Sequence, residues 1–306
     1  MDAGVDDALA IMLAVRSPEV DLRAITAVSG NVHVDLTSLN ALKILEGLNV
    51  LDIPVAKGMA KPILRELKTG EDFHGKDGLG DSNLPEPKLQ LDKRNAVDLL
   101  ANEVASDPKH LTVVATGPLT NIATALLRDP RFAQNVERLI IMGGAYGLTP
   151  YGYGNVTSAA EFNIYVDPEA ASIVFRSGMP LVCVGLDTST DPKATLTRDL
   201  WQRLEQSGDI AARFAARITR RYMTEFGFIH LHDPMALAFA IDPTLFVTRE
   251  YHVDIETTGA LARGQTIADK REWLPRGHGE PTNASICTSV DGERFLELFM
   301  QRLDRN

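Results

Sequence analysis

With 306 residues, 44% of them hydrophobic and 24% charged, the chain can bury a substantial core and lies outside disordered or fibrous compositions. A formal net charge of −10 argues against a nucleic-acid binder or a protein of anionic membrane surfaces. The two cysteines, Cys183 and Cys287, sit in apolar stretches and read as reduced core thiols. No cationic apolar leader opens the chain and no apolar run approaches membrane-spanning length, so a cytoplasmic protein is expected.

In chain order, a helix-like apolar run from about Asp6 to Ser17 follows a turn at Gly4. "DLRAITAVSGN" reads as a short apolar strand ending in a polar Gly-Asn turn, and "LTSLNALKILEGL" has helical spacing. "IPVAKG" is strand-like. The polar "GEDFHGKDGLGDSNLPEPK" after it is too long for a routine connection and reads as a functional loop or lid. "RNAVDLLANEVAS" is helical, "HLTVVATGPLTNIATALL" is strand, turn and helix, and "VERLIIMGG" is a strand. "PEAASIVFRSG" is a helix and "MPLVCVGLDTS" a strand. Short, nearly continuous apolar strands alternating with amphipathic helices predict an α/β fold with an open, mostly parallel central sheet flanked by helices. No internal repeat or low-complexity tract divides the chain, so residues 1–306 are expected to form a single domain. Ligand sites in such sheets lie beyond the carboxyl ends of the strands. That singles out residues 29–31, 116–120, 142–146 and 187–190.

The opening "MDAGVDDALAIML" crowds Asp2, Asp6 and Asp7 into one turn. Capping of the helix N-terminus accounts for one of Asp6 and Asp7, but not for Asp2 as well. Carboxylates converging on one turn repel unless a cation neutralises them, and oxygen-only ligands suit Ca²⁺ or Mg²⁺. No His/Cys cluster points to zinc, and the spacing is not that of an EF-hand loop. Far downstream, His232-Asp233-Pro234 opens a second apolar helix with Pro234 at its first position, where a capping aspartate is the common explanation. In "YGNVTSAAEFNIYVDPEAA", Asn155, Glu161 and Asn163 have too many apolar neighbours for a simple exposed turn.

Together these stretches resemble the inosine–uridine-preferring nucleoside hydrolases. "DAGVDD" matches that family's Asp-x-Asp-Pro-Gly-x-Asp-Asp opening from its second Asp onward. "SGNV" (29–32), "HG" (74–75), "TGPLTNIA" (116–123), "MGG" (142–144), "NVTSAAEFNIYVDPEA" (155–170) and "HDP" (232–234) follow in family order, as do "ARGQTIAD" and "NASICTSVDGERFLELFMQRL" near the C-terminus. The resemblance covers essentially the whole chain. It implies an open α/β domain, assembled as a homodimer or homotetramer, that hydrolyses the N-glycosidic bond of ribonucleosides with a bound Ca²⁺. It implies Asp2, Asp7, Asp233 and the backbone carbonyl of Thr116 as metal ligands, Asp2 also serving as general base. It places Asp6, Asn31, Asn155, Glu161 and Asn163 on the ribose hydroxyls, Met142 under the sugar, His74 near the base, and His232 at protonation of the departing base.

The chain departs from the family pattern at two places. The first Asp of the opening motif and the strand leading into it are absent before Asp2, so the expectation is either a true start upstream of Met1 or a depleted sheet with a metal ligand on a fraying terminus. The motif's proline is Ala3. At the base end, "TRRYMTEFGFIHLHDP" offers Tyr222, Phe226 and Phe228. Aromatics at helical spacing usually pack inward, which leaves purine against pyrimidine open. Tyr222 is the alternative proton donor to His232. The competing reading is a nucleoside-binding protein of the same fold, catalytically weakened at its N-terminus. A phosphohydrolase is disfavoured, since no glycine-rich phosphate cradle with its lysine occurs.

Overall fold

The computed structural model describes residues 1–271 and 279–305. Its strands are β1 (Ile25–Ala27), β2 (Val55–Lys57), β3 (Thr112–Ala115), β4 (Arg138–Met142), β5 (Leu181–Val184), β6 (Thr195–Thr197), β7 (Phe228–His230), β8 (Phe246–Tyr251), β9 (Val253–Ile255), β10 (Thr266–Ala268) and β11 (Ala284–Val290). Its α-helices are α1 (Val5–Val15), α2 (Val34–Gly47), α3 (Glu71–His74), α4 (Ala96–Ser106), α5 (Thr120–Arg128), α6 (Arg131–Asn135), α7 (Phe162–Val166), α8 (Pro168–Phe175), α9 (Leu186–Ser189), α10 (Arg198–Gln206), α11 (Ile210–Phe226), α12 (His232–Ile241) and α13 (Gly292–Leu303).

The main sheet has the order β3-β4-β5-β11-β8, parallel except for the last pair. Its inner strands β4 and β5 are apolar on both faces because both are covered, and strand periodicity sorts their side chains between two cores. Ile140, Met142, Val182 and Val184 point into the core that also takes Leu9, Met12 and Leu13 of α1, Met235 of α12 and Phe299 of α13. Leu139, Ile141, Leu181 and Cys183 point the other way, among Ile122 of α5, Val174 of α8 and Ile286. Cys183 and Cys287 are both buried free thiols, and burial pushes the Cys183 thiol up to about 12. They fill space in the core.

The parallel pair β1–β2 stands apart from the main sheet. A cavity of about 420 Å³ lies between β1 and β3, lined by Ile25, Val113 and Leu237 among others, with Glu19, Arg23 and Glu103 also at its walls. The strands thus fall into separate groups on either side of this cavity. The expected fraying of the first residues is not seen. The Met1 amino group donates to the Thr26 carbonyl at 3.1 Å, and the Val28 N–H donates to the Met1 carbonyl at 2.9 Å. That is one rung of a parallel ladder. It fixes Asp2, which is fully buried.

The polar segment after β2 is folded. It contains α3, and the Asp77 carboxylate accepts from the backbone N–H groups of Leu79, Asp81 and Asn83. From α11, Arg217 donates to the Ser82 carbonyl and Arg221 pairs with Asp81 at 2.7 Å. The segment read as a lid is therefore a braced flap tied to a long helix. Among the described residues no helix is long and apolar enough to cross a membrane.

Candidate active site

The strands β1, β3, β4 and β5 end on one side of the molecule; the loops after the first three carry Asn31, Thr116 and Gly143, and the short helix α9 after β5 carries Asp187. The N-termini of α1 and α12 point to the same place. Oxygens of Asp6, Asp7 and Asp233 come within 4.8 Å of one another, the one carboxylate grouping of that kind among the described residues. Asp2 stands beside them, close enough that its charge raises Asp233.

The capping explanation holds for Asp7 and goes further. Its Oδ2 accepts from the Gly4 N–H at 2.9 Å and from Asn31 Nδ2 at 3.2 Å, and its Oδ1 accepts from the Thr116 hydroxyl at 2.7 Å. Asp2 Oδ2 accepts from the Asn31 backbone N–H at 2.7 Å. The sequence reading gave Thr116 a role only through its carbonyl; here its side chain binds Asp7. By contrast Asp2 Oδ1 and Asp6 Oδ1 are buried with no hydrogen-bond partner. Burial, then the neighbouring charges, hold the Asp2 and Asp233 carboxyls well above the ordinary range, and burial raises Asp6 to about 6. Buried carboxylates with unused oxygens and raised pKa values are the donor set of a hard cation. The residues present therefore fit a divalent cation held by oxygen.

Glycine is required where the pieces meet. A Cβ on Gly4 would lie 2.5 Å from both Asn31 Nδ2 and His74 Nδ1. His74 Nδ1 accepts the Val5 N–H at 3.1 Å, which leaves any ring hydrogen on Nε2. Burial pushes His74 down to about 4 and His232 to about 3. The His232 ring is bound through Nδ1 to the Ser189 hydroxyl at 2.8 Å.

On the other flank, Glu161 caps α7. Its Oε1 accepts from the Asn163 N–H at 2.9 Å, and its Oε2 accepts from Ile164 at 3.1 Å and Gly144 at 3.0 Å. Burial raises its pKa while these three N–H groups lower it. Asn163 Nδ2 donates to the Met142 carbonyl at 3.1 Å. Glu161, Asn163 and Met142 are thus bound together, and Asp6 is near enough for its charge to act on Glu161. Asn155 stands outside this arrangement: it is exposed, and its side-chain oxygen accepts the Phe162 N–H at 2.9 Å.

The aromatic residues depart from expectation. Tyr222 is partly buried, but Phe226 and Phe228 are 38% and 40% exposed, and Phe73 on the flap is 52% exposed. The Tyr222 and Phe226 ring centroids lie 4.5 Å apart, and those of His230 and His232 lie 5.4 Å apart. Phe226 stacks on Phe73 of the flap, with centroids 6.3 Å apart, while Tyr222 packs against the main core.

One supporting residue, Asn40, escaped the sequence reading, and another, Asp187, had been singled out only by its place after a strand. Asn40 Nδ2 donates to the carbonyls of Ala3 and Asp77, at 3.1 and 2.8 Å, joining the acidic turn to the flap. Its signal was a run of polar residues, Thr37, Ser38 and Asn40, on a buried helix face. Asp187 accepts the N–H groups of Tyr146 at 2.7 Å and Leu148 at 2.6 Å, and so sets the loop after β4.

A pH experiment reads the carboxylates directly. Asp6 in the metal-free fold holds its proton up to about pH 6, above its unfolded value, so its favourable contribution is present below about pH 4 and lost as pH rises through 6. The depressed histidines, His74 and His232, run the opposite way: their contribution is whole above about pH 6.5 and is lost as pH falls from there through about 4 and about 3. The difference in melting temperature between Ca²⁺ and chelator isolates the first effect. At pH 7.5 with Ca²⁺ at about 100 times its Kd the gain corresponds to roughly 2.7 kcal/mol. It is expected to shrink steadily below pH 6 as protons displace the cation, whereas a gain that stays constant down to pH 5 rules out these carboxylates as the ligands.

The sequence model of the inosine-uridine preferring nucleoside hydrolase family matches residues 1–297. The chain is 40% identical to the pyrimidine-specific ribonucleoside hydrolase RihA of Citrobacter koseri, with 99% of this chain and 96% of that protein aligned. The RihA of an Escherichia coli strain has the same identity and coverage. Among solved structures, the plant nucleoside hydrolase PpNRh1 superposes with a TM-score of 0.92 at 34% identity, covering 100% of this chain and 98% of its own. A purine-preferring ribonucleoside hydrolase from Gardnerella vaginalis gives a TM-score of 0.90 at 34% identity, covering 99% and 96%.

Proposed function

The chain belongs to the inosine-uridine preferring nucleoside hydrolase family, and from that premise we propose that it is a Ca²⁺-dependent ribonucleoside hydrolase whose working residues are those gathered around Asp7. The observation that carries this reading is the meeting of Asp2, Asp6, Asp7 and Asp233, all deeply set, at the carboxyl ends of a parallel sheet.

Asp2, Asp7 and Asp233, with the Thr116 carbonyl, would hold the cation, and Asp6 lies near enough to join them. A bound Ca²⁺ supplies Lewis acidity that makes water a better nucleophile near neutral pH. Asp2, with one oxygen fixed by the Asn31 N–H and the other unused, takes the proton of the attacking water. The water oxygen bonds to C1′ of the ribose, the C1′–N bond breaks, and its electron pair leaves with the base. Positive charge grows on the sugar ring during this step, and the anionic Asp6 and Glu161 favour it. Asn31 and Asn163 bind the ribose hydroxyls, and Met142 packs under the sugar; Asn155, exposed and bound to the Phe162 N–H, is left out of the ribose contacts. His74 sits beside the base, and His232 presents a proton toward it. The buried, braced Asp2 supports hydrolysis over a catalytically weakened binding protein.

The higher identity to the pyrimidine-specific relatives supports uridine and cytidine as the preferred substrates. The Gardnerella relative, named for purines, keeps inosine and guanosine as the second reading. Homo-oligomeric assembly and a cytoplasmic location go with the same proposal. The test is release of free base from uridine, cytidine, inosine and adenosine, each with and without chelator. Deoxyuridine belongs in the panel, because a site that binds every ribose hydroxyl rejects it by roughly 10⁴-fold. Chelator-insensitive cleavage sinks the metal-dependent reading, and no cleavage of any ribonucleoside sinks the hydrolase.

A further inference from the structure

We propose that Ser189 is a positioning residue that holds His232 in the tautomer whose hydrogen is on Nε2, an inference that rests on the hydrolase reading above. Ser189 ends α9 and is 1% exposed. Its hydroxyl lies 2.8 Å from His232 Nδ1. Among the described residues no carbonyl or carboxylate competes for the hydroxyl hydrogen, so that hydrogen is directed at Nδ1. In a neutral imidazole one nitrogen donates and the other accepts, so an accepting Nδ1 leaves the hydrogen on Nε2.

The mount that carries Ser189 is independent of α12, which carries His232. The Leu186 N–H donates to the Gly144 carbonyl at 2.9 Å, and the Thr188 hydroxyl donates to the Cys287 carbonyl at 2.6 Å. The Asp187 carboxylate ties the same helix to the loop after β4. The Ser189 hydroxyl is therefore pinned to the end of the sheet. On its other side the His232 ring meets His230, with centroids 5.4 Å apart. His74, at the acidic turn, is close enough for its charge to act on His232, and Asp233 next to His232 belongs to the carboxylate cluster. A ring held in this way offers its neutral Nε2–H as a hydrogen-bond donor to the charge that develops on a departing base, without first having to rotate or exchange tautomers.

The test compares Ser189→Ala and Ser189→Thr with the unaltered enzyme, on uridine and on p-nitrophenyl riboside, whose leaving group needs no proton. Nitrogen-15 NMR of histidine-labelled protein reads the His232 tautomer separately from activity. Ser189→Ala is expected to lower kcat on uridine roughly tenfold, the worth of one hydrogen bond, with KM little changed. The loss on p-nitrophenyl riboside is expected to stay under about threefold, and the His232 signals to move to a mixture of tautomers. Ser189→Thr, which keeps the hydroxyl, should restore both. Equal losses on the two substrates, or an unchanged Nε2–H tautomer in Ser189→Ala, overturn the proposal. If the unaltered chain cleaves no ribonucleoside, the hydrolase reading fails by itself, while the tautomer measurement still decides the Ser189 assignment.

Discussion

Asp7→Ala is expected to lose bound Ca²⁺ and ribonucleoside cleavage together. Asp7 is the carboxylate that touches the most of the site: its two oxygens take hydrogen bonds from Gly4, Asn31 and Thr116, and it is part of the tight grouping with Asp6 and Asp233. Removing it deletes a ligand, frees the Thr116 hydroxyl and the Asn31 amide, and releases the turn that carries Asp2. Loss of a single positioned polar partner in an active site costs about 10²–10³ in rate, and loss of a ligand should exceed that. Stability separates the two effects. In chelator, removal of a buried like charge offsets the lost hydrogen bonds, so the melting temperature should change little. In Ca²⁺ the unaltered protein should gain stability and Asp7→Ala should not. Asp7→Asn, which keeps shape but not charge, should behave like the alanine variant toward the cation. Calcium binding by Asp7→Ala with unaltered affinity, measured by calorimetry, would falsify the ligand set.

His232→Ala is expected to lower the rate on natural ribonucleosides by roughly 10²–10⁴-fold, the span of general acid catalysis. The reason is positional. His232 is next to Asp233 at the start of α12, so the packing that brings Asp233 to the carboxylates also brings the ring to the pocket. Its Nδ1 is occupied by Ser189, and Nε2 is the nitrogen left to face a departing base. On p-nitrophenyl riboside the loss should be small, and calcium binding should persist. Equal losses on both substrates would mean that His232 supports the site's shape. The proton donor would then be sought at Tyr222, whose phenol burial pushes up to about 12 and which stands beside Phe226.

The order of helices and strands was legible along the chain because periodicity and caps are local. "VERLIIMGG" is a strand because its apolar run serves two cores at once, and "LTSLNALKILEGL" is a helix because its apolar spacing matches one face. Asp2, Asp6 and Asp7 were visible as a crowd that capping alone could not explain, and His232-Asp233-Pro234 as a helix start. The aromatics were misplaced because helical spacing says that Tyr222 and Phe226 share a face. It cannot say that at the last turn of α11 Tyr222 packs on the core while Phe226 turns to Phe73 of the flap.

The sequence by itself determined the α/β class, the acidic turn, the family and most of the residue types the chemistry needs. Only the tertiary structure decided which of them meet. Asp233 reaches Asp7 because α12 packs on α1, and Ser189 reaches His232 across 43 residues. It also showed that Asp2 is held by one ladder rung at Met1, that the Thr116 hydroxyl binds Asp7, and that Asn40 joins the flap to the acidic turn. Local patterns set torsions and faces over about ten residues. A contact between distant residues depends on how whole faces pack, and a lone Ser or Asn carries no mark of the partner that packing will bring.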